Sequence, residues 1–143
     1  MRPRAPATLL LITALLGPAG CGSAGTGTHT APTAAPTVTL DDRSSGRTVT
    51  IPAGGTVDLV LHSTYWSGPR SSAPDALQPL GTALTSPAPG CVPGQGCGTV
   101  TARFQARTTG RATLTATRTT CGEALLCTPA QRTFTATVLI TAG

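Results

Sequence analysis

Lysine is missing from the 143 residues, aromatic side chains make up 3% of them and charged side chains 10%. Each shortage excludes a class of function. Binding to nucleic acid needs a dense basic patch, usually with aromatic rings on which bases stack. Ten scattered arginines with two Phe, one Tyr and one Trp supply neither. Arginine at every basic position, beside an excess of Ala, Gly, Pro and Thr, points to GC-rich coding rather than to a basic function. No apolar run is long enough to cross a bilayer as a helix. No Gly-rich loop opens a helix to cradle a phosphate, and no carboxylate pair or metal-ligand cluster appears, so no catalytic residue, cofactor or metal is expected. A chain this poor in aromatics must build its core from small and β-branched side chains. At roughly 25 cal/mol per Å² of buried apolar surface, such a core is marginal for about 100 residues, and disulfides are expected to make up the difference.

What is present begins with an address. Met1-Arg-Pro-Arg4 is a short positive segment, residues 9–16 are apolar apart from Thr13, and Gly17-Pro-Ala-Gly-Cys21 sets small residues before a cysteine. This is the order of an export signal peptide, over residues 1–20. Losing Arg2 and Arg4 with it lowers the formal net charge from +5 to +3. Pro18-Ala-Gly-Cys21 resembles a bacterial lipobox, in which the cysteine is acylated and becomes the first residue; that pattern prefers Leu where this chain has Pro18. Five cysteines leave one unpaired, and Cys21 stands apart from the other four. The expected location is the outer face of the cytoplasmic membrane, held there by lipid on Cys21, with plain secretion as the alternative. Mass spectrometry of the membrane fraction is expected to find a lipid-modified Cys21; an unmodified N-terminus at or beyond it would contradict this. The rest of segment 21–36 has no large apolar residue to offset its ordering entropy, so it reads as a disordered tether with His29 in solvent.

The folded domain is expected over residues 37–143. Val38 and Leu40 alternate with Thr, then Val49 and Ile51 do so after an Asp41-Asp-Arg-Ser-Ser-Gly46 turn. Val57, Leu59 and Leu61 alternate with Asp58, Val60 and His62. The pattern returns with Val100, Ala102, Phe104 and Ala106, with Ala112, Leu114 and Ala116, and over residues 132–141 with Phe134, Ala136, Val138 and Ile140 facing inward. Leu139 is expected to be a single exposed apolar residue on the opposite face. Short strands, turns between them and no helical period predict an all-β sandwich or barrel. Residues 70–90, rich in Ser, Pro and Gly, are expected to be mostly irregular, with Leu77, Leu80 and Leu84 as anchors and at most one or two edge strands, around 80–85.

Tyr65 and Trp66 sit together in Ser63-Thr-Tyr-Trp-Ser-Gly-Pro69. One reading is a core plug, the other an exposed contact. A core of small residues needs one large anchor and Trp buries the most area, so Trp66 is expected inside and Tyr65, facing the other way, outside.

Cys91-Val-Pro-Gly-Gln-Gly-Cys97 and Cys121-Gly-Glu-Ala-Leu-Leu-Cys127 bracket the most regular part of the chain. Pairing within each loop closes two short rings. The rival is Cys97 with Cys121, which would face each other across a hairpin centred on Thr109. In an immunoglobulin-like sandwich those two strands belong to different sheets, and local pairing follows. Zinc is disfavoured by the five-residue spacing, the exported context and the absence of a nearby His.

The run Gly46-Arg-Thr-Val-Thr-Ile-Pro-Ala-Gly-Gly-Thr-Val-Asp-Leu-Val-Leu61 resembles the opening strands of the chagasin-type inhibitors of papain-like cysteine proteases. Gly96-Cys-Gly-Thr-Val-Thr-Ala-Arg-Phe-Gln-Ala-Arg-Thr-Thr-Gly110, with residues 112–118 after it, resembles their Gly-rich loop and the two strands that follow. The resemblance covers residues 37–142 and implies an immunoglobulin-like, chagasin-like β-sandwich with three loops at one end. On this chain the loops are residues 63–67 with Tyr65 and Trp66, the Gly94, Gly96 and Gly98 segment, and residues 118–128 starting at Arg118, Thr119 and Thr120. The family's Asn-Pro-Thr-Thr-Gly loop is replaced here by Ser63-Thr-Tyr-Trp. Its Arg-Pro-Trp loop is replaced by Arg118-Thr-Thr-Cys121, which keeps only the Arg.

Catalysis is not expected. His62, the one His of the domain, stands about 13 Å from Asp58 along the strand, too far to be oriented by it. The leading expectation is a non-catalytic, lipid-anchored binding or structural module that meets an unknown protein or cell-envelope ligand through the three loops. The alternative is chagasin-type inhibition of a papain-like protease. Arg103, Arg107 and Arg111 face outward and are expected to keep a Thr-rich surface soluble.

Overall fold

Alternation of apolar and polar residues, broken by Gly and Pro turns, yields strands wherever one face can be buried. The computed structural model describes residues 34–143; the expected export signal over residues 1–20, Cys21 and most of the expected tether lie outside them. Its strands in chain order are β1 (Thr37–Asp41), β2 (Thr48–Pro52), β3 (Thr56–His62), β4 (Arg70–Ser71), β5 (Leu77–Pro79) and β6 (Leu84–Pro87). There follow β7 (Gly98–Ala106), β8 (Gly110–Thr117), β9 (Thr120–Gly122), β10 (Leu125–Leu126) and β11 (Thr133–Thr141).

Two open sheets face each other. In the first, β1 runs parallel to β3, β3 antiparallel to β7, and β5 and β6 share the far side of β7. The second has the order β2-β11-β8-β4, and β9 with β10 forms a small ribbon. Val57, Leu59, Leu61, Val100 and Phe104 from one sheet meet Ile51, Leu114, Phe134, Val138 and Ile140 from the other, all buried. Five alanines, at 102, 106, 112, 116 and 136, fill the space between them. This is the small-residue core that the composition implies. The fold is an all-β, immunoglobulin-like sandwich with two disulfides.

Because β7 and β8 belong to different sheets, residues 107–109 cross between them and no hairpin opposes Cys97 to Cys121. The bridges are Cys91–Cys97 and Cys121–Cys127, with Cα separations of 5.9 and 5.0 Å. Each closes a short ring and contributes about 2–2.5 kcal/mol in the chain-entropy view.

Three expectations are corrected. Residues 70–90 carry three short strands, β4, β5 and β6, because Arg70 and Ser71 find a partner edge on β8 while the other two find one on β7. Of their three leucines only Leu77 is a core anchor; Leu80 and Leu84 are 44% and 63% exposed. Leu84 stands opposite Thr101, an outward position of β7, so it cannot reach the core. Leu139 is half-buried rather than exposed, since β11 is an inner strand and Thr50 and Arg111 flank it on either side.

Candidate binding surface

The end of the sandwich at which β3 and β8 finish and β7 and β11 begin gathers the irregular segments 63–69 and 88–97 and the segment 118–132 with its β9–β10 ribbon. Backbone conformation starts the arrangement. Ser63, the first residue beyond β3, has a φ of 118°, a strained value for any residue with a Cβ. Its N–H donates to the Gly98 carbonyl at 2.9 Å, and its Oγ accepts the Tyr65 N–H at 3.2 Å. The Thr64 N–H donates to the Gly96 carbonyl at 2.8 Å.

These bonds lay Tyr65 on the Gly-rich loop. Its ring occupies the space that a Cβ on Gly96 would fill, and its hydroxyl donates to the Gly94 carbonyl. Tyr65 is therefore half-buried, a clamp rather than a free outward ring. Gly98 is as constrained on its other side: a Cβ there would overlap the Ser86 carbonyl oxygen and stand 2.8 Å from Pro87 Cα.

Trp66 turns the other way and plugs the mouth of the sandwich at 7% exposure, its Nε1–H donating to the His62 carbonyl at 3.2 Å. Ser67, on the approach to β4, then exchanges two bonds with Thr117 of β8, at 2.7 and 2.9 Å. The guanidinium of Arg118 lies 4.2 Å from the Trp66 ring centroid. Thr119 is exposed and its carbonyl accepts the N–H of buried Cys127 at 2.9 Å, while half-buried Thr120 opens β9. The two stapled loops adjoin: a Cβ on Gly94 would meet Glu123 Cγ at 3.9 Å. On them Val92, Leu125 and Leu126 are 53%, 59% and 71% exposed.

A likeness in shape accompanies this geometry. Neither a protein-family description nor a curated protein matches the sequence. Among solved structures, the cysteine protease inhibitor EhICP2 from Entamoeba histolytica superposes with a TM-score of 0.52 at 10% identity, over 73% of this chain and 95% of that one. The chain has a chagasin-like fold. The solution structure of amebosin agrees, with a TM-score of 0.51 at 19% identity, over 74% of this chain and 98% of that one.

Within the chagasin-like fold every loop residue that the sequence singles out, Tyr65, Trp66, Gly94, Gly96, Gly98, Arg118, Thr119 and Thr120, lies at this one end. Sequence reasoning missed a pair. His62 Nδ1 stands 2.6 Å from Asp42 Oδ2, which also accepts the His62 N–H at 2.9 Å. Asp42 is twenty positions away, and only the parallel pairing of β1 with β3 brings it there. Asp58 instead accepts Arg103 Nε at 2.8 Å, its direct neighbour across β3 and β7. Among the described residues no hydroxyl or thiol bonds to the His62 ring. Arg103, Arg107 and Arg111 are all exposed.

Proposed function

We propose that this chain is a non-catalytic binding module, tethered by lipid on Cys21 outside the cytoplasmic membrane, which meets a protein or cell-envelope partner through the loop end of its sandwich. One observation carries the reading: the same stapled, clamped loops that are held rigid also leave Val92, Leu125 and Leu126 in water. Large apolar residues exposed together on ordered loops mark contact surfaces more often than isolated ones do. A preorganised loop loses little conformational entropy on binding, so more of the burial energy becomes affinity.

A second reading, chagasin-type inhibition of a papain-like cysteine protease, is favoured by the likeness to EhICP2 along nearly all of that inhibitor. Titrating the oxidised chain into a papain-like enzyme separates the two. Stoichiometric loss of peptidase activity would select the inhibitor. Undiminished activity at a large excess of folded, oxidised chain leaves the module with another partner, and that is the expected result, because residues 63–66 and 118–121 carry neither of the family's loop motifs.

A further inference from the structure

At the same end is a cleft of about 190 Å³, walled in part by two of the loops. Four segments remote in sequence build it: Asp42 from the turn after β1, Trp66 after β3, Arg118 after β8, and Ala130, Gln131 and Phe134 at the approach to β11. Trp66 and Phe134, both buried, supply apolar walls from the core. Thr128 fixes the rim that carries Ala130, its N–H and hydroxyl both donating to Gln131 Oε1, at 3.1 and 2.9 Å.

Arg118 is the polar group held ready there. One face of its guanidinium stacks on Trp66, and its Nε donates to the Gln131 carbonyl at 3.0 Å. Its backbone N–H is bonded to the Arg132 carbonyl at 2.8 Å. Among the described residues no carboxylate pairs with Arg118 and neither Nη finds an acceptor. The other charged group of the cleft, Asp42, is already engaged with the His62 ring and N–H. A half-buried guanidinium whose orientation is set, with its two terminal nitrogens free, is complementary to a planar carboxylate.

We infer that this cleft receives a carboxylate on a short aliphatic stem, supplied by an acidic side chain of the protein bound at the loop end; this rests on the reading of that end as the contact surface. The volume accommodates one side chain. The Trp66 and Phe134 walls take its methylenes while Arg118 takes its head. A free phosphate fits less well, since it has no apolar stem for those walls.

Trp66 is the only tryptophan of the chain and lines the cleft, so its fluorescence and its indole N–H resonance respond to a ligand there without interference from a second indole. The full oxidised chain is titrated with acetyl-Leu-Glu-Leu-amide, with its Gln twin and with acetate. The Glu peptide is expected to shift both signals saturably, the Gln twin to bind at least tenfold more weakly, and acetate to need at least hundredfold higher concentration. Arg118→Gln removes the preference for Glu. Ala130→Glu, a change on the exposed rim, is expected to block the peptide while leaving the fold and the Trp66 stack in place, which keeps the test informative if Arg118→Gln unfolds the chain. Equal response to the Glu and Gln peptides, or a preference that survives Arg118→Gln or Ala130→Glu, overturns the inference. Acetate matching the Glu peptide overturns it too, in favour of a free-anion site. If partner contacts at Leu126 persist while the Glu preference fails, the cleft reading alone falls; if those contacts also fail, the loop-end reading falls with it.

Discussion

Replacing Trp66 with alanine is expected to lower the free energy of unfolding by about 3–5 kcal/mol, the range for removing a large buried ring from a core that cannot close over the gap. For a domain of this size that is a fall in Tm of about 15 °C or more, measurable by thermal or urea unfolding of the oxidised chain. The effect is large because little else can take the ring's place. The buried residues of the core are mostly Ala, Val and Leu, and its other large rings, Phe104 and Phe134, are already committed to the two sheets. The loss spreads further through the indole N–H, which holds the His62 carbonyl, and through the stack with Arg118, which leads into the stapled 121–127 loop. Trp66→Phe keeps a ring in the plug and is expected to recover more than half of the stability. A change below about 1 kcal/mol for the alanine variant would mean that the ring is no plug.

Aspartate at both Leu125 and Leu126 is expected to do the opposite: to leave stability within about 0.5 kcal/mol and to abolish partner binding. Both side chains lie largely in water, at 59% and 71% exposure, so the folded chain loses little when they change. In a complex the same two positions would bury a pair of unpartnered carboxylates, a penalty of several kcal/mol that is equivalent to at least a hundredfold loss of affinity. Arg103→Ala is the matched control. It removes an exposed ion pair with Asp58 on the outer face of the first sheet, a contribution of about 1 kcal/mol or less, and leaves the loop end untouched.

The six long strands are legible in the sequence because period-two alternation carries the inside–outside choice within each segment: Val57, Leu59 and Leu61 need no distant partner to declare a face. The plug is legible from scarcity, one large anchor in a core of small residues. Whatever depends on which segments meet is not legible. Two stapled loops and one cross-strand bridge are both compatible with the cysteine spacing, and only the placement of β7 and β8 in separate sheets decides between them. Asp42 and His62 are joined only through the parallel β1–β3 pairing, and their residue types alone give no hint of contact. Tyr65 reads as an outward ring because alternation treats residue 65 as strand, whereas Ser63 has already turned the backbone with its positive φ. The Arg118 cleft draws on four segments, so no local motif announces it.

The most direct test of the loop end as the contact surface is photo-crosslinking from a reactive side chain placed at position 126 and, separately, at position 103, in cells that make the full chain. A discrete adduct from position 126, lost when Leu125 becomes Asp, with none from position 103, is the expected result. An adduct from 103 with none from 126 would place the contact on the sheet face and contradict the account.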